Sequence, residues 1–384
     1  MKKVCVITGT RAEYGLLKWV IHELKKSNNV KLQIIATGMH LSPKFGLTYK
    51  EIEKDNFIID KKVEMLINSD SDTAIAKSIG IGIVGIADAL DSLNPDIIII
   101  LGDRFEIFSA ATTAMIKRIP IAHIHGGEST FGLIDEPIRH SITKMSQIHF
   151  VATEEYQKRV IQLGEKPENV FLVGGLGIDG INRNKYMPKK NLEKALDFKF
   201  DKKNLLVTFH PVTLERATSE KQMNQLLLAL DQLENTNIIF TMPNADTDGS
   251  ILFKQINNFV KDRANTKAFI SLGQLKYLSC LKYVDGVVGN SSSGLLEVPS
   301  FKKGTINIGD RQGGRVKARS IIDCSPTKKS IIDAINKLYS EEFRSSLKNI
   351  TSPYGKGGAS KKIVKVIERV SLEGIVKKKF YDIN

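Results

Sequence analysis

Ile97-Ile98-Ile99-Ile100-Leu101-Gly102-Asp103-Arg104-Phe105-Glu106 is the stretch on which the fold turns. Five successive branched apolar residues leave no polar alternate face. They read as a strand covered on both sides, as in a parallel sheet. The polar residues follow at once. Asp103 stands where the strand ends and a helix begins near Phe105; its simplest role is to cap that helix, its more interesting one to sit at the mouth of the sheet.

The same strand, polar turn and helix recur outward in both directions. Val4–Thr8, Leu32–Ala36, Ile119–His123, Ile148–Ala152 and Val170–Val173 read as further strands of a first half. Tyr14–Lys26, Ala74–Leu93, Phe105–Ile116 and Pro137–Ser146 carry helical periodicity between them. A second set follows, with strands at Leu205–Phe209, Ile238–Thr241, Ala268–Ile270, Val284–Val288 and Thr305–Ile308. Lys221–Leu233, Ile251–Arg263 and Gln274–Leu281 are its helices. Repeated βα units predict an α/β chain of two Rossmann-like, doubly wound domains. The expected division is residues 1–177, residues 178–358, and a final helix with a basic tail, residues 359–384, that could return to the first domain. The glycine-rich run Gly174 to Gly180 reads as the hinge.

At 384 residues, with 42% hydrophobic and 26% charged side chains, the chain has the composition of a soluble two-domain protein. No uninterrupted apolar run approaches the roughly 20 residues that span a bilayer, and no signal peptide precedes the first strand, so no membrane partner is expected. Three scattered cysteines, Cys5, Cys280 and Cys324, suit a reducing cytoplasm. No Cys/His cluster has zinc-ligand spacing, so neither a metal nor a cofactor is expected. The net charge of +14 invites a nucleic-acid reading, but Lys61-Lys62, Lys189-Lys190 and Lys377-Lys378-Lys379 carry no interleaved aromatics. A basic surface equally suits a dianionic ligand.

The polar motifs all fall after strands. Thr8-Gly9-Thr10-Arg11 closes the first, with Arg11 placed for a phosphate. His123-Ile124-His125-Gly126-Gly127-Glu128 closes another; alternation would put His123 and His125 on one face, suited to acid–base work. Asp135-Glu136-Pro137-Ile138-Arg139-His140 opens a helix with more charge than capping requires, and adjacent carboxylates split their pKa values. In the second half His210, Asn244 and Arg311 each end a strand. Gly289-Asn290-Ser291-Ser292-Ser293-Gly294-Leu295-Leu296-Glu297 reads as a strand end, a small polar turn and a helix N-terminus, an arrangement for an anion, with Glu297 placed to accept from a sugar diol. Anion-binding groups thus collect in the second half, carboxylates and histidines in the first.

With GTRAEYG, ATGMH, LGDRFE, HIHGGE, DEPIRHSITK, FHPVT, PNADT, GNSSSGLLE and INIGDRQ in this order, the chain resembles the hydrolysing UDP-N-acetylglucosamine 2-epimerases over nearly its whole length. The resemblance implies a GT-B-like pair of domains around a central cleft, no metal, and a homodimer or larger oligomer. It implies that Arg11, His210, Ser291 and Ser292 hold a diphosphate, that Asn244 and Gly294 line the UDP site, that Glu297 takes the ribose and that Arg311 orders the nucleotide. Asp103, His125, Glu128, Asp135 and Arg139 become the catalytic candidates. Many members have glutamate where His125 stands, so the base on each face of the sugar is open among His125, Glu128 and Asp135. The implied reaction expels UDP, forms a glycal and hydrates it with inversion at C2. The resemblance leans to UDP-N,N'-diacetylbacillosamine and legionaminic acid synthesis, with UDP-N-acetylglucosamine and sialic acid synthesis next. A non-hydrolysing epimerase, a GT-B glycosyltransferase and a non-catalytic nucleotide-binding module are the other readings.

Overall fold

The structure is a computed structural model that describes residues 1–69, 71–130, 134–211, 218–242 and 249–383, the side chains of 249 and 250 excepted. The elements of the first half are β1 (Lys2–Thr8), α1 (Arg11–Lys26), β2 (Val30–Thr37), α2 (Tyr49–Lys54), β3 (Lys61–Val63), α3 (Asp72–Leu93), β4 (Ile97–Leu101), α4 (Phe105–Ile116), β5 (Ile121–Ile124), α5 (Asp135–Met145), β6 (Ile148–Val151), α6 (Glu154–Gln162) and β7 (Val170–Leu172). Then come α7 (Leu176–Arg183), α8 (Lys189–Leu196), β8 (Lys203–Thr208), α9 (Ser219–Leu230), β9 (Thr236–Thr241), α10 (Gly249–Lys261), β10 (Thr266–Phe269), α11 (Gly273–Tyr283), β11 (Gly286–Gly289), α12 (Ser293–Leu296), β12 (Gly304–Ile308), β13 (Ile321–Cys324), α13 (Lys328–Tyr339), α14 (Glu341–Ser346) and α15 (Ala359–Arg369).

Two compact units result. The first gathers Met1–Glu128, Asp135–Gly180 and Tyr354–Asn384; the second gathers Ser129–Ile134 and Ile181–Pro353. The first holds a sheet in the order β3-β2-β1-β4-β5-β6-β7, the second one in the order β10-β9-β8-β11-β12-β13. Every described pairing is parallel. Both sheets wind outward from their first strand and then reverse, so each has a switch point, between β1 and β4 and between β8 and β11. In open α/β sheets ligands collect outside the carboxyl ends of strands at such points.

The isoleucine run explains the winding. Ile97, Ile99 and Leu101 pack with Val4, Val6 and α1, whereas Ile98 and Ile100 pack with Cys5, Ile7 and α4. Successive side chains leave opposite faces, and both faces carry helices. In the first unit α15 covers the α1 face, contributing Ala359, Ile363, Val364 and Ile367 to that core. The basic tail beyond it has its own anchors: Lys378 Nζ donates to the Lys144 and Ser146 carbonyls and to Glu165, and the Tyr381 N–H donates to the Gly164 carbonyl at 2.9 Å.

Three local expectations change. Leu176–Arg183 of the expected hinge is helix α7, entered through Gly174 at φ +93°. The helix expected after the serine turn lasts one turn, α12. Pro299 removes a donor soon after, and Val298–Phe301 continues as a 3-10 segment. Finally, α3 is by length and composition apolar enough to cross a bilayer. Runs without charges hid this, because Lys77 and Asp88 interrupt it.

Candidate active site

In the first unit the β4 end, the β5 end and α5 converge. Arg139, on α5, is 1% exposed and its guanidinium gathers the group. It pairs with the Asp103 carboxylate, donates to the Glu128 carbonyl at 2.8 Å and to Glu136 Oε2 at 3.1 Å. Burial alone would lower its pKa, but the surrounding carboxylates, Asp103 foremost, hold it charged and raise it. Asp103 therefore does not cap α4: Arg104 occupies the N-cap position, without a side-chain cap. Glu136, which the sequence reading left out of its candidates, bridges Arg139 and His140, the latter at 3.3 Å. Asp135 begins α5.

The histidines separate. His123, inside β5, is fully buried; its Nε2 lies 2.7 Å from the Gly102 carbonyl and its Nδ1 3.3 Å from Thr143 Oγ1. Burial drives its pKa down to about 3, so the ring is neutral at physiological pH. His125 lies beyond the strand at φ +66°, a left-handed backbone that ends the alternation expected of the pair. That turn aims its Nδ1 at Glu128 Oε1, 3.3 Å away. A non-glycine residue held left-handed is a strain that functional sites tend to retain. Gly127 follows at φ +76°, where a Cβ would meet the Tyr156 carbonyl oxygen at 2.4 Å.

Across the switch point, the β1 turn rests on two buried carboxylates that sequence reasoning missed. Glu13 accepts from the Gly9 N–H at 2.7 Å, and the Glu106 side chain lies so close that a Cβ on Gly9 would be 2.8 Å from it. Arg104 donates to Glu106 at 3.2 Å. Burial, then the charge of Glu106, pushes Glu13 from its usual 4.5 up to about 8. Between those values the unfolded chain has released this proton while the folded chain keeps it. Stability thus falls as pH rises across that window. Glu13→Gln, which stays neutral, is expected to flatten that fall; urea midpoints at pH 5.5 and pH 8 measure it, and an unchanged slope contradicts it. Arg11, expected on a phosphate, pairs with Glu51 at 2.8 Å and is about one-third exposed.

In the second unit Asn290 ties the switch point together. Its side chain accepts from the His210 N–H at 2.7 Å and donates to the His210 carbonyl at 2.8 Å. Its own carbonyl accepts from Arg311 at 3.1 Å and from Gln312 at 2.9 Å. The ends of β8, β11 and β12 thus bring His210, Ser291, Ser292 and Arg311 to one side of the sheet. Burial and the Arg311 charge lower His210 to about 3, leaving a neutral ring. Gly289 precedes the turn at φ +141°; a Cβ there would lie 1.9 Å from the Thr208 carbonyl oxygen. Gly294 faces Thr305, whose hydroxyl donates to the Gly294 carbonyl at 2.7 Å. Glu297 takes the Ser293 hydroxyl, Tyr277 donates to Ser293 Oγ at 2.7 Å, and burial raises the Glu297 pKa. Asn244 lies outside the described residues.

A family described as UDP-N-acetylglucosamine 2-epimerase matches residues 22–368. The chain is 44% identical, over all of its length and 99% of the relative, to a Campylobacter jejuni protein named GDP/UDP-N,N'-diacetylbacillosamine 2-epimerase (hydrolyzing). The chain belongs to the hydrolysing UDP-N-acetylglucosamine 2-epimerase family. The epimerase is also 42% identical, over all of its length and 98% of the relative, to the Escherichia coli polysialic acid biosynthesis protein P7. Its fold matches that of the UDP-GlcNAc 2-epimerase from Neisseria meningitidis bound to UDP-GlcNAc, with TM-score 0.83 at 20% identity, over 96% of this chain and 99% of the other.

Proposed function

We propose that this epimerase converts UDP-N,N'-diacetylbacillosamine to UDP and 2,4-diacetamido-2,4,6-trideoxymannose in the cytoplasm, as a step of legionaminic acid synthesis. The observation that carries the substrate is the 44% identity, end to end, with the C. jejuni enzyme named for it. The 42% identity to the E. coli polysialic acid protein supports a second reading, UDP-N-acetylglucosamine giving N-acetylmannosamine for sialic acid.

The chemistry runs without a metal. The C2 proton of the sugar has no adjacent carbonyl and is a weak acid. Stretching the C1–O bond to the diphosphate builds positive charge at C1 and acidifies C2. His210, Arg311 and the N–H groups of the Ser291-Ser292 turn are assigned to the departing diphosphate, and Glu297 to the ribose. A base from the Asp103, His125, Glu128, Asp135 group takes the C2 proton as the C1–O bond breaks, leaving a glycal and UDP. Arg139 pairs with both Asp103 and Glu136 and so fixes their positions beside the sugar site. Water then adds at C1 while a proton reaches C2 from the opposite face, giving the free manno sugar.

Proton NMR in deuterated water, with each UDP-sugar in its own tube, tests this. Free sugar carrying deuterium at C2, from the diacetamido substrate alone, is expected. The same product from UDP-N-acetylglucosamine alone selects the second reading. Retention of the substrate's own C2 hydrogen rules out the glycal.

A further inference from the structure

Helix α5, which carries Asp135, Glu136 and Arg139 near its start, is held at its other end by the C-terminal tail. A helix leaves its last four carbonyls without helical donors. In α5 the Ile142 carbonyl accepts from the Ser146 hydroxyl at 2.7 Å, that of Thr143 from the Ser146 N–H at 3.1 Å, and that of Met145 from the Gln147 side chain at 3.1 Å. The remaining one, on Lys144, takes Lys378 Nζ at 2.5 Å, from 234 residues further along the chain. The same ammonium reaches the Ser146 carbonyl at 2.7 Å and both carboxylate oxygens of Glu165 at 3.0 Å. A cation placed there also meets the negative end of the helix dipole.

The surroundings of this lysine are built to receive it. Glu165 is 2% exposed and also bonds Lys144 at 2.6 Å and His149 at 3.0 Å. Burial works against its charge, but those two hydrogen bonds and the Lys378 ammonium hold its pKa down at about 2. The tail is seated close by. The Phe380 ring lies against Gly164, where a Cβ would be 2.3 Å from it, and the Lys144 ammonium stands 4.8 Å from the ring centre. Lys144 is five positions after Arg139, about 8 Å along the helix axis. Between them Thr143 Oγ1 joins the Arg139 carbonyl, at 3.1 Å, to His123, at 3.3 Å. A shift of the anchored end therefore moves the guanidinium that pairs with Asp103. We propose that Lys378 is a positioning residue for the reaction, fixing α5 so that Arg139 sets the Asp103 carboxylate beside the sugar. The kinetic part of this role rests on the proposed reaction; the anchoring of α5 does not.

Amide hydrogen exchange and steady-state kinetics on the full chain test it. In Lys378→Met, exchange across α5 is expected to quicken by about tenfold. Its kcat is expected to fall by about tenfold with KM changed less than about twofold, because the groups assigned to UDP lie in the second unit. Lys378→Arg keeps a cation and is expected to recover most of both losses. Phe380→Ala loosens the tail while Lys378 and its charge stay, and is expected to show the same changes in smaller measure. Ile21→Val, a core change on α1, lowers the melting temperature and is expected to leave kcat and α5 exchange as in the wild type. Unchanged α5 exchange in Lys378→Met overturns the proposal whichever sugar is used. So does a kcat that Lys378→Met keeps, or that Ile21→Val loses equally. A wild type that releases UDP from neither sugar overturns the proposed reaction and the part of Lys378 in it, while the exchange still decides the anchoring.

Discussion

Asp103→Asn is expected to lower kcat by about 10²- to 10⁴-fold, the range that a positioned acid–base group contributes. The asparagine keeps an acceptor for the Arg139 guanidinium, so the local packing survives while the negative charge goes. Charge matters here because Arg139 is buried, and a buried guanidinium depends on its carboxylates. Some loss of stability is therefore expected beside the loss of rate, and the two must be separated. Glu136→Gln provides the control, because Glu136 meets the same guanidinium at 3.1 Å through another nitrogen. Both variants weaken the anchoring of Arg139, but only Asp103→Asn removes the carboxylate at the end of β4. Steady-state kinetics with thermal melts on the two decide the matter. If Glu136→Gln loses as much kcat as Asp103→Asn at similar melting temperatures, Asp103 acts only by holding Arg139.

Which parts of this site the sequence could reveal follows from the range of the interactions. The β4 strand and the α4 helix were readable to the residue, because burial on both faces and a sharp polar boundary are local signals. The three-residue edge strand β3 and the edge strand β13 went unread, since an edge strand needs no continuous apolar run. Helices α6 and α13 each begin at a threonine that accepts from the backbone, Thr153 and Thr327, a signal that was present and passed over. His125 was misplaced for a different reason. Alternation holds only while the strand lasts, and β5 ends one residue before it. The pairings that define the site, Asp103 with Arg139, Arg11 with Glu51 and Glu106 against Gly9, join residues distant in sequence. No periodicity encodes them; only the sheet order brings them together.

Asp179→Ala is expected to be the most destabilising single change at a carboxylate away from the catalytic candidates. Asp179 sits on α7, 1% exposed, and its side chain serves as the N-terminal cap of a helix 180 residues further on. It accepts from the N–H of Gly358, from that of Ala359 at 3.1 Å, from that of Ser360 at 2.7 Å and from the Ser360 hydroxyl. The residue at the cap position of α15 is Gly358, which has no side chain to do this itself. Removing the carboxylate leaves these donors without their acceptor where water has little access. Hydrogen bonds to a charged acceptor contribute about 1.5–3 kcal/mol each but do not add. A loss of about 3–4 kcal/mol is expected from urea unfolding, with Asp179→Asn between the two. The damage has a direction. Beyond the cap, α15 buries Ile363 and Ile367 against α1, and Lys2 reaches across to the Ile367 and Val370 carbonyls. Loosening the first turn should therefore release the last helix before the sheet opens, and brief proteolysis should cut Asp179→Ala first near Gly358. A variant that unfolds within 1 kcal/mol of wild type, or is first cut elsewhere, would mean that α15 is held by its apolar face alone.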